Sequence, residues 1–170
     1  MTFLERILEL DTRLFLFLNS LNHPLTDFIM YWFSDMYIWI PLYVLLIVLA
    51  AIKLKWQSIF WIILGTIAII IADAISVYWF KNIFLRLRPC HEPALEGMVH
   101  LVKGKCGGMY SFVSSHATNH FAIAVFWSLL LKPHFRHSIS LLLIWASLVA
   151  YSRIYLGVHY PLDVIGGALL

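Results

Sequence analysis

The 22 residues from Ile59 to Phe80, IFWIILGTIAIIIADAISVYWF, carry one charge, Asp73. A helix rises about 1.5 Å per residue, so roughly 20 apolar residues cross the hydrocarbon core of a bilayer. The run is read as a membrane-spanning helix. Met36–Ile52 before it, and Ala117–Leu131 and Ile139–Tyr151 after it, have the same character, each extendable by a few residues. Polar segments separate them: Lys53-Leu54-Lys55, a long loop near Arg88–Val113, and Lys132-Pro133-His134-Phe135-Arg136-His137. A last apolar run, Val164–Leu170, follows His159-Tyr160-Pro161 and is too short to cross, so a truncated last helix is expected.

Composition agrees with this layout. Of 170 residues, 62% are hydrophobic and 12% charged, whereas a soluble domain carries about 25% charged residues. A water-soluble enzyme, a disordered tail and a nucleic-acid module are excluded together, and a net charge of +3 is too small and scattered to bind a polyanion. The expected fold is a single all-α polytopic membrane domain over residues 1–170, with about five to six transmembrane helices. An N-terminal amphipathic helix suited to the interface precedes them. In it Glu5, Glu9, Thr12 and Arg13 share one stripe, with Ile7, Leu10, Leu14, Phe17 and Leu18 opposite. Its early acidic residues set it apart from a signal peptide. Asn22-His23-Pro24 breaks it, and Ser34-Asp35 is expected to cap the first full span.

Lys53 and Lys55 in one turn, and Lys132 and Arg136 in another, share a side if the spans alternate, and the positive-inside rule makes that side cytoplasmic. The Arg88–Val113 loop and the Arg153–His159 turn then face outward, as expected for a plasma-membrane protein of bacterial type with an outer or periplasmic site. Cys90 and Cys106, 16 positions apart in that loop, suit a disulfide in an oxidising compartment. Two free thiols, or a zinc site completed by His91 and His100, are the alternatives.

Three polar clusters fall on this outer side, where ionisable groups near spans point to function. In the first, Lys81 and Arg88 lie seven apart, two helical turns, and Pro89 is expected to end the helix at Arg88. In the second, Ser114 is placed to cap a helix whose free N–H groups, near Ser115, would attract an anion beside His116. His116 and His120 have metal-ligand spacing, with no carboxylate joining them locally. In the third, Arg153 precedes His159 and Asp163, which are four apart on one face, so the carboxylate can fix the imidazole tautomer. Three cations, two histidines, a carboxylate and a helix N-terminus suit chemistry on a phosphate, with cations doing what a metal does elsewhere.

These clusters resemble the three motifs of the type 2 phosphatidic acid phosphatase superfamily, whose integral-membrane members are lipid phosphatases. K-x6-R-P is matched at Lys81, Arg88 and Pro89, and S-R-x5-H-x3-D at Ser152, Arg153, His159 and Asp163. P-S-G-H appears as Val113-Ser114-Ser115-His116, keeping the serine and histidine. The resemblance implies that His159 attacks phosphorus to give a phosphohistidine, that Asp163 orients it, and that His116 protonates the leaving oxygen and then activates water. It assigns the phosphoryl oxygens to Lys81, Arg88, Ser114, Ser115 and Arg153. It implies neither metal nor cofactor, and a lipid phosphate in the bilayer as partner. Undecaprenyl pyrophosphate is the preferred substrate, with phosphatidylglycerophosphate, phosphatidate, lipid A phosphates and phosphotransfer as alternatives. A non-enzymatic reading, a small transporter with an anion site, rests on Asp73 within its span.

Overall fold

The computed structural model describes residues 2–170, which contain no strand. Helix α1 (Phe3–Ser20) opens with a capping box between Thr2 and Glu5. Helix α2 (Pro24–Phe33) starts on a proline, whose missing N–H would have had no partner in a first turn. A 3-10 turn, Met36–Trp39, capped by Asp35, leads into α3 (Ile40–Leu54). Helix α4 (Gln57–Ala74) continues through a π-helical stretch, Ile75–Lys81, into the short α5 (Asn82–Phe84). Then come α6 (Ser115–Leu131), α7 (Ser138–Tyr155) and α8 (Pro161–Leu169).

Among the described residues, Met36–Leu54, Gln57–Phe84 and Ser138–Tyr155 are long and apolar enough to cross a membrane. The length-and-composition criterion is thus met by three of the five to six helices expected to cross. Helix α6, 17 residues long, is the centre of the bundle and packs against α3, α4, α7 and α8. Its small residues allow close approach: Ala124 is fully buried, and a Cβ on Gly65 of α4 would lie 2.5 Å from the Phe126 ring. Leu46, Ala50, Trp127, Leu131, Trp145 and Val149 form the apolar core at one end. There Lys53 Nζ lies 5.8 Å from the Phe135 ring centroid, so the two basic turns meet at the same end of the bundle.

Helix α1 turns an unexpected face inward. Asp11, Phe15 and Asn19, at i, i+4 and i+8, are buried, while Leu10, Leu14 and Phe17 are exposed. Phe15 packs edge-on against Tyr160, ring centroids 5.3 Å apart. Asn19 receives the His100 N–H at 2.8 Å and donates to the carbonyls of Tyr155 (2.8 Å) and His100 (2.9 Å). The first helix is thereby tied to α7 and to the long loop.

Candidate active site

The first motif converges differently from the way its spacing suggests. Leu85 takes a left-handed conformation (φ 45°) and ends the helix three residues before Arg88, where Pro89 was expected to do so. Such a conformation costs a non-glycine residue about 1 kcal/mol and reverses the chain here. Leu87 then makes a single antiparallel bridge to Tyr110. Arg88 leaves the helix and reaches across the loop, donating to the Cys106 carbonyl at 3.0 Å and the Tyr110 carbonyl at 3.3 Å. Gly107 makes room for it: its φ is +88°, and a Cβ there would lie 3.2 Å from Arg88 Nη1.

Lys81 sits at the end of the π-helical stretch. Residues five apart stack in a π-helix, which brings Ser76 and Lys81 onto one side. Both donate to the Ser115 hydroxyl, each at 2.9 Å. Serine in place of the motif's glycine therefore supplies a partner for Lys81 rather than leaving only a bare backbone. Ser114 caps α6 by accepting from the Ala117 N–H at 3.4 Å, and its own N–H donates to the Asp163 carbonyl at 2.9 Å. That backbone bond joins the second motif to the third.

In the third motif, Gly157 with φ +79° closes α7, and its missing Cβ admits the His100 carbonyl, which would otherwise be 2.7 Å away. His159 is buried in the turn before α8, its Nδ1 3.5 Å from Asp163 Oδ2. Burial, then the charges of Arg88, Arg153 and Lys81, hold its proton affinity well below that of an ordinary histidine. Asp163 is fully buried, and its carboxylate also accepts from the Tyr160 N–H at 2.8 Å and from Arg86 Nη1 at 2.9 Å. Arg153 donates to the Ser34 hydroxyl. Arg88, His116 and Arg153 line one cavity of about 380 Å³, rimmed by Tyr31, Ser34, Asp35 and Lys105. Of the eight residues singled out on sequence, Arg88, His116 and Arg153 line this cavity, Lys81 bonds Ser115, and Ser114, Asp163 and His159 are linked to one another by the contacts above. His116 also lines a second, mainly apolar cavity of about 300 Å³ between α3, α4 and α6.

Other candidates are resolved by the same geometry. Cys90 and Cys106 form a disulfide with Cα atoms 5.9 Å apart, which removes the thiolates a zinc site would need. His91 faces the Gly107 carbonyl (3.3 Å) and His100 the Asp27 carboxylate (3.0 Å). The His116 and His120 rings stack with centroids 6.2 Å apart, and His120 Nδ1 bonds the His116 carbonyl. Among the described residues no group of three or more His, Cys, Asp or Glu is placed to hold a metal ion. Asp73 accepts from Asn119 at 2.8 Å, a paired carboxyl between α4 and α6.

Two participants escaped the sequence reading. Neither Arg86 nor Asp11 was given a role in it; Arg86 bridges Asp163 to Asp11, 2.7 Å from the latter. The available signal was Asp11's place on a stripe with Phe15 and Asn19, apart from Glu5 and Glu9.

Residues 59–170 match the model of the PAP2 superfamily. The chain belongs to the PAP2 superfamily. It is a membrane PAP2 lipid phosphatase, a hydrolase of phosphoric esters. The lipid A 4′-phosphatase of Porphyromonas gingivalis is 36% identical over 167 residues, 96% of this chain and 69% of that protein. The putative undecaprenyl-diphosphatase of Escherichia coli is 38% identical over 61% of this chain and 48% of that protein. The crystal structure of Aquifex aeolicus LpxE superposes with a TM-score of 0.70 at 30% identity, covering 94% of this chain and 88% of that one. These matches do not favour undecaprenyl pyrophosphate, the preference drawn from sequence, over the lipid A phosphatase alternative. The two diphosphatase matches cover 61% and 79% of this PAP2 chain, against 96% for the Porphyromonas gingivalis phosphatase.

Proposed function

We propose that this PAP2 phosphatase removes a phosphate monoester from a glycolipid of the lipid A type, at the outer face of a bacterial inner membrane, through a phosphohistidine on His159. The reading is carried by the cavity in which Arg88, His116 and Arg153 meet. With His159 Nδ1 turned to Asp163, Nε2 is the nitrogen that attacks. As the N–P bond forms and the P–O bond to the sugar breaks, His116 gives its proton to the departing oxygen. Water, deprotonated by His116, then cleaves the N–P bond and releases inorganic phosphate. Lys81, Arg88 and Arg153, with Ser114 and Ser115 at the start of α6, hold the phosphoryl oxygens, and these cations neutralise the charge that builds on them. No step calls for a metal.

Two features support the substrate and side. Ser34, Asp35 and Tyr31 on the rim offer hydrogen bonds to sugar hydroxyls and amides, which a polyprenyl diphosphate lacks beyond its phosphates. The basic turns meeting at one end of the bundle, and a disulfide in the loop that holds Arg88, fit a site facing an oxidising exterior. The test is phosphate release by purified protein from lipid A, undecaprenyl pyrophosphate, phosphatidylglycerophosphate and phosphatidate at matched detergent ratio. Lipid A is expected to give the highest kcat/KM and to lose its 4′-phosphate. A higher kcat/KM for the prenyl diphosphate would overturn the assignment.

A further inference from the structure

Asp11 lies outside the region that matches the family model, yet it is joined to the reacting end of the molecule by short polar contacts. Its Oδ2 accepts from Arg86 Nη2 at 2.7 Å, and its Oδ1 accepts from the Leu162 N–H at 2.9 Å. The other arm of the same guanidinium, Nη1, donates to Asp163 Oδ1 at 2.9 Å. Arg86 is fixed further by the Tyr160 ring, 3.9 Å below its Cζ. Asp11 is 4% exposed and Asp163 is fully buried, so water screens these charges little.

We propose that Asp11 is a positioning residue for the phosphoryl transfer, sharing Arg86 with Asp163 so that Asp163 keeps negative charge for His159. This rests on the reading of His159 as nucleophile. A guanidinium that forks onto two carboxylates leaves the set with one net negative charge. That charge offsets the positive charge that grows on the imidazole as its nitrogen bonds phosphorus. Without the Asp11 charge, Arg86 and Asp163 form a neutral pair and the offset is weaker. The Leu162 N–H is one of the free donors in the first turn of α8. By accepting from it, Asp11 also fixes the end of the helix that carries Asp163.

Asp11→Asn separates charge from shape. The amide oxygen can still accept from Leu162 or Arg86, but the negative charge is gone. The charged and titratable groups near His159 are Asp163, Arg88, Arg153, Lys81 and His116. Removing a nearby anion leaves those cations less opposed. In Asp11→Asn, kcat should fall about 10-fold with KM little changed, and the acid limb of the rate profile should move to lower pH. Asp11→Glu should restore most of kcat and the position of the limb. A purely structural role would lower thermal stability and active fraction together and leave the limb where it was. That result would overturn the proposal, as would Asp11→Asn with unchanged kcat. Acid-quenched phosphoenzyme trapping in His159→Ala distinguishes the two failures. If phosphoenzyme still forms there, the nucleophile assignment falls. If it is lost while Asp11→Asn behaves as wild type, only the role of Asp11 falls.

Discussion

Gly167 is the point at which packing controls the chemistry most directly. It lies on the buried face of α8, and a Cβ there would stand 2.5 Å from the Ser114 carbonyl oxygen, 3.1 Å from Ala117 Cβ and 3.1 Å from Thr118 Oγ1. The nearest of these atoms is backbone, held at the first turn of α6 by the Thr118 N–H at 3.0 Å. It cannot turn aside as a side chain would. To restore an ordinary contact of roughly 3.5 Å, α8 in Gly167→Ala must retreat by about 1 Å. The Ser114 N–H to Asp163 carbonyl bond, 2.9 Å now, spans the same gap and would be stretched with it. Overpacking of this kind costs about 1–3 kcal/mol in stability, and a displacement of about 1 Å at a reacting centre costs about 100-fold in rate. Steady-state phosphate release by the purified variant, normalised to folded protein from thermal melts, measures both. Gly166→Ala is the control. Its Cβ would meet Val113 Cγ1 at 2.9 Å and the Phe112 ring at 3.1 Å, both side-chain atoms that can give way, so a loss below about 10-fold is expected. Gly167→Ala with kcat within twofold of wild type would refute the argument that this contact sets the spacing of the site.

Cys90→Ser or Cys106→Ser should lower stability by about 3 kcal/mol, the entropy of a loop of roughly 15 residues, and weaken turnover, because Arg88 donates to the Cys106 carbonyl; melting curves with and without reductant measure the first effect and phosphate release the second. His159→Ala should trap no phosphoenzyme. His116→Ala should lose about 100- to 10,000-fold with the lipid substrate and much less with an aryl phosphate, whose leaving group needs little protonation; the reverse pattern would exchange the two roles. Since His159 must be neutral to attack and its proton affinity is depressed by burial and by Arg88, Arg153 and Lys81, the acid limb of kcat/KM, where His159 takes up a proton, should lie below the ordinary histidine value of about 6.5. Arg88→Gln should move that limb upward, towards the ordinary histidine value, in a pH profile of the residual activity.

The site was legible in the sequence to the extent that its groups sit at fixed local spacings. His159 and Asp163, four apart across the start of a helix, and Ser114, two residues before His116, needed only helix geometry to be placed. The Lys81–Arg88 spacing suggested a geometry that the fold does not use. The two cations are brought together not by two turns of one helix but by a π-helical stretch, a left-handed Leu85 and a reach across the loop. No local pattern announces those. Asp11 was illegible because its partners are 75 and 151 residues away, and one carboxylate on an amphipathic helix looks like any other until the opposite wall is known. The inward face of α1 was misjudged for a related reason. Where lipid is the solvent, apolar residues can face outward, and hydrophobicity alone does not identify the buried side.

The inward stripe of α1 also bears on how the chain is made. Asp11, Phe15 and Asn19 leave the ribosome long before the partners they meet, Leu162, Tyr160 and Tyr155. Until then the carboxylate and the amide have no permanent partners, and burying them in lipid would be costly. Helix α1 must therefore wait where water can reach those two side chains and dock after α8 has been threaded. Synthesis order and assembly order are opposed at this seam. A chain interrupted before Leu162 would hold much of its hydrophobic bundle and two of the three motifs, with no means of bringing them to one phosphate.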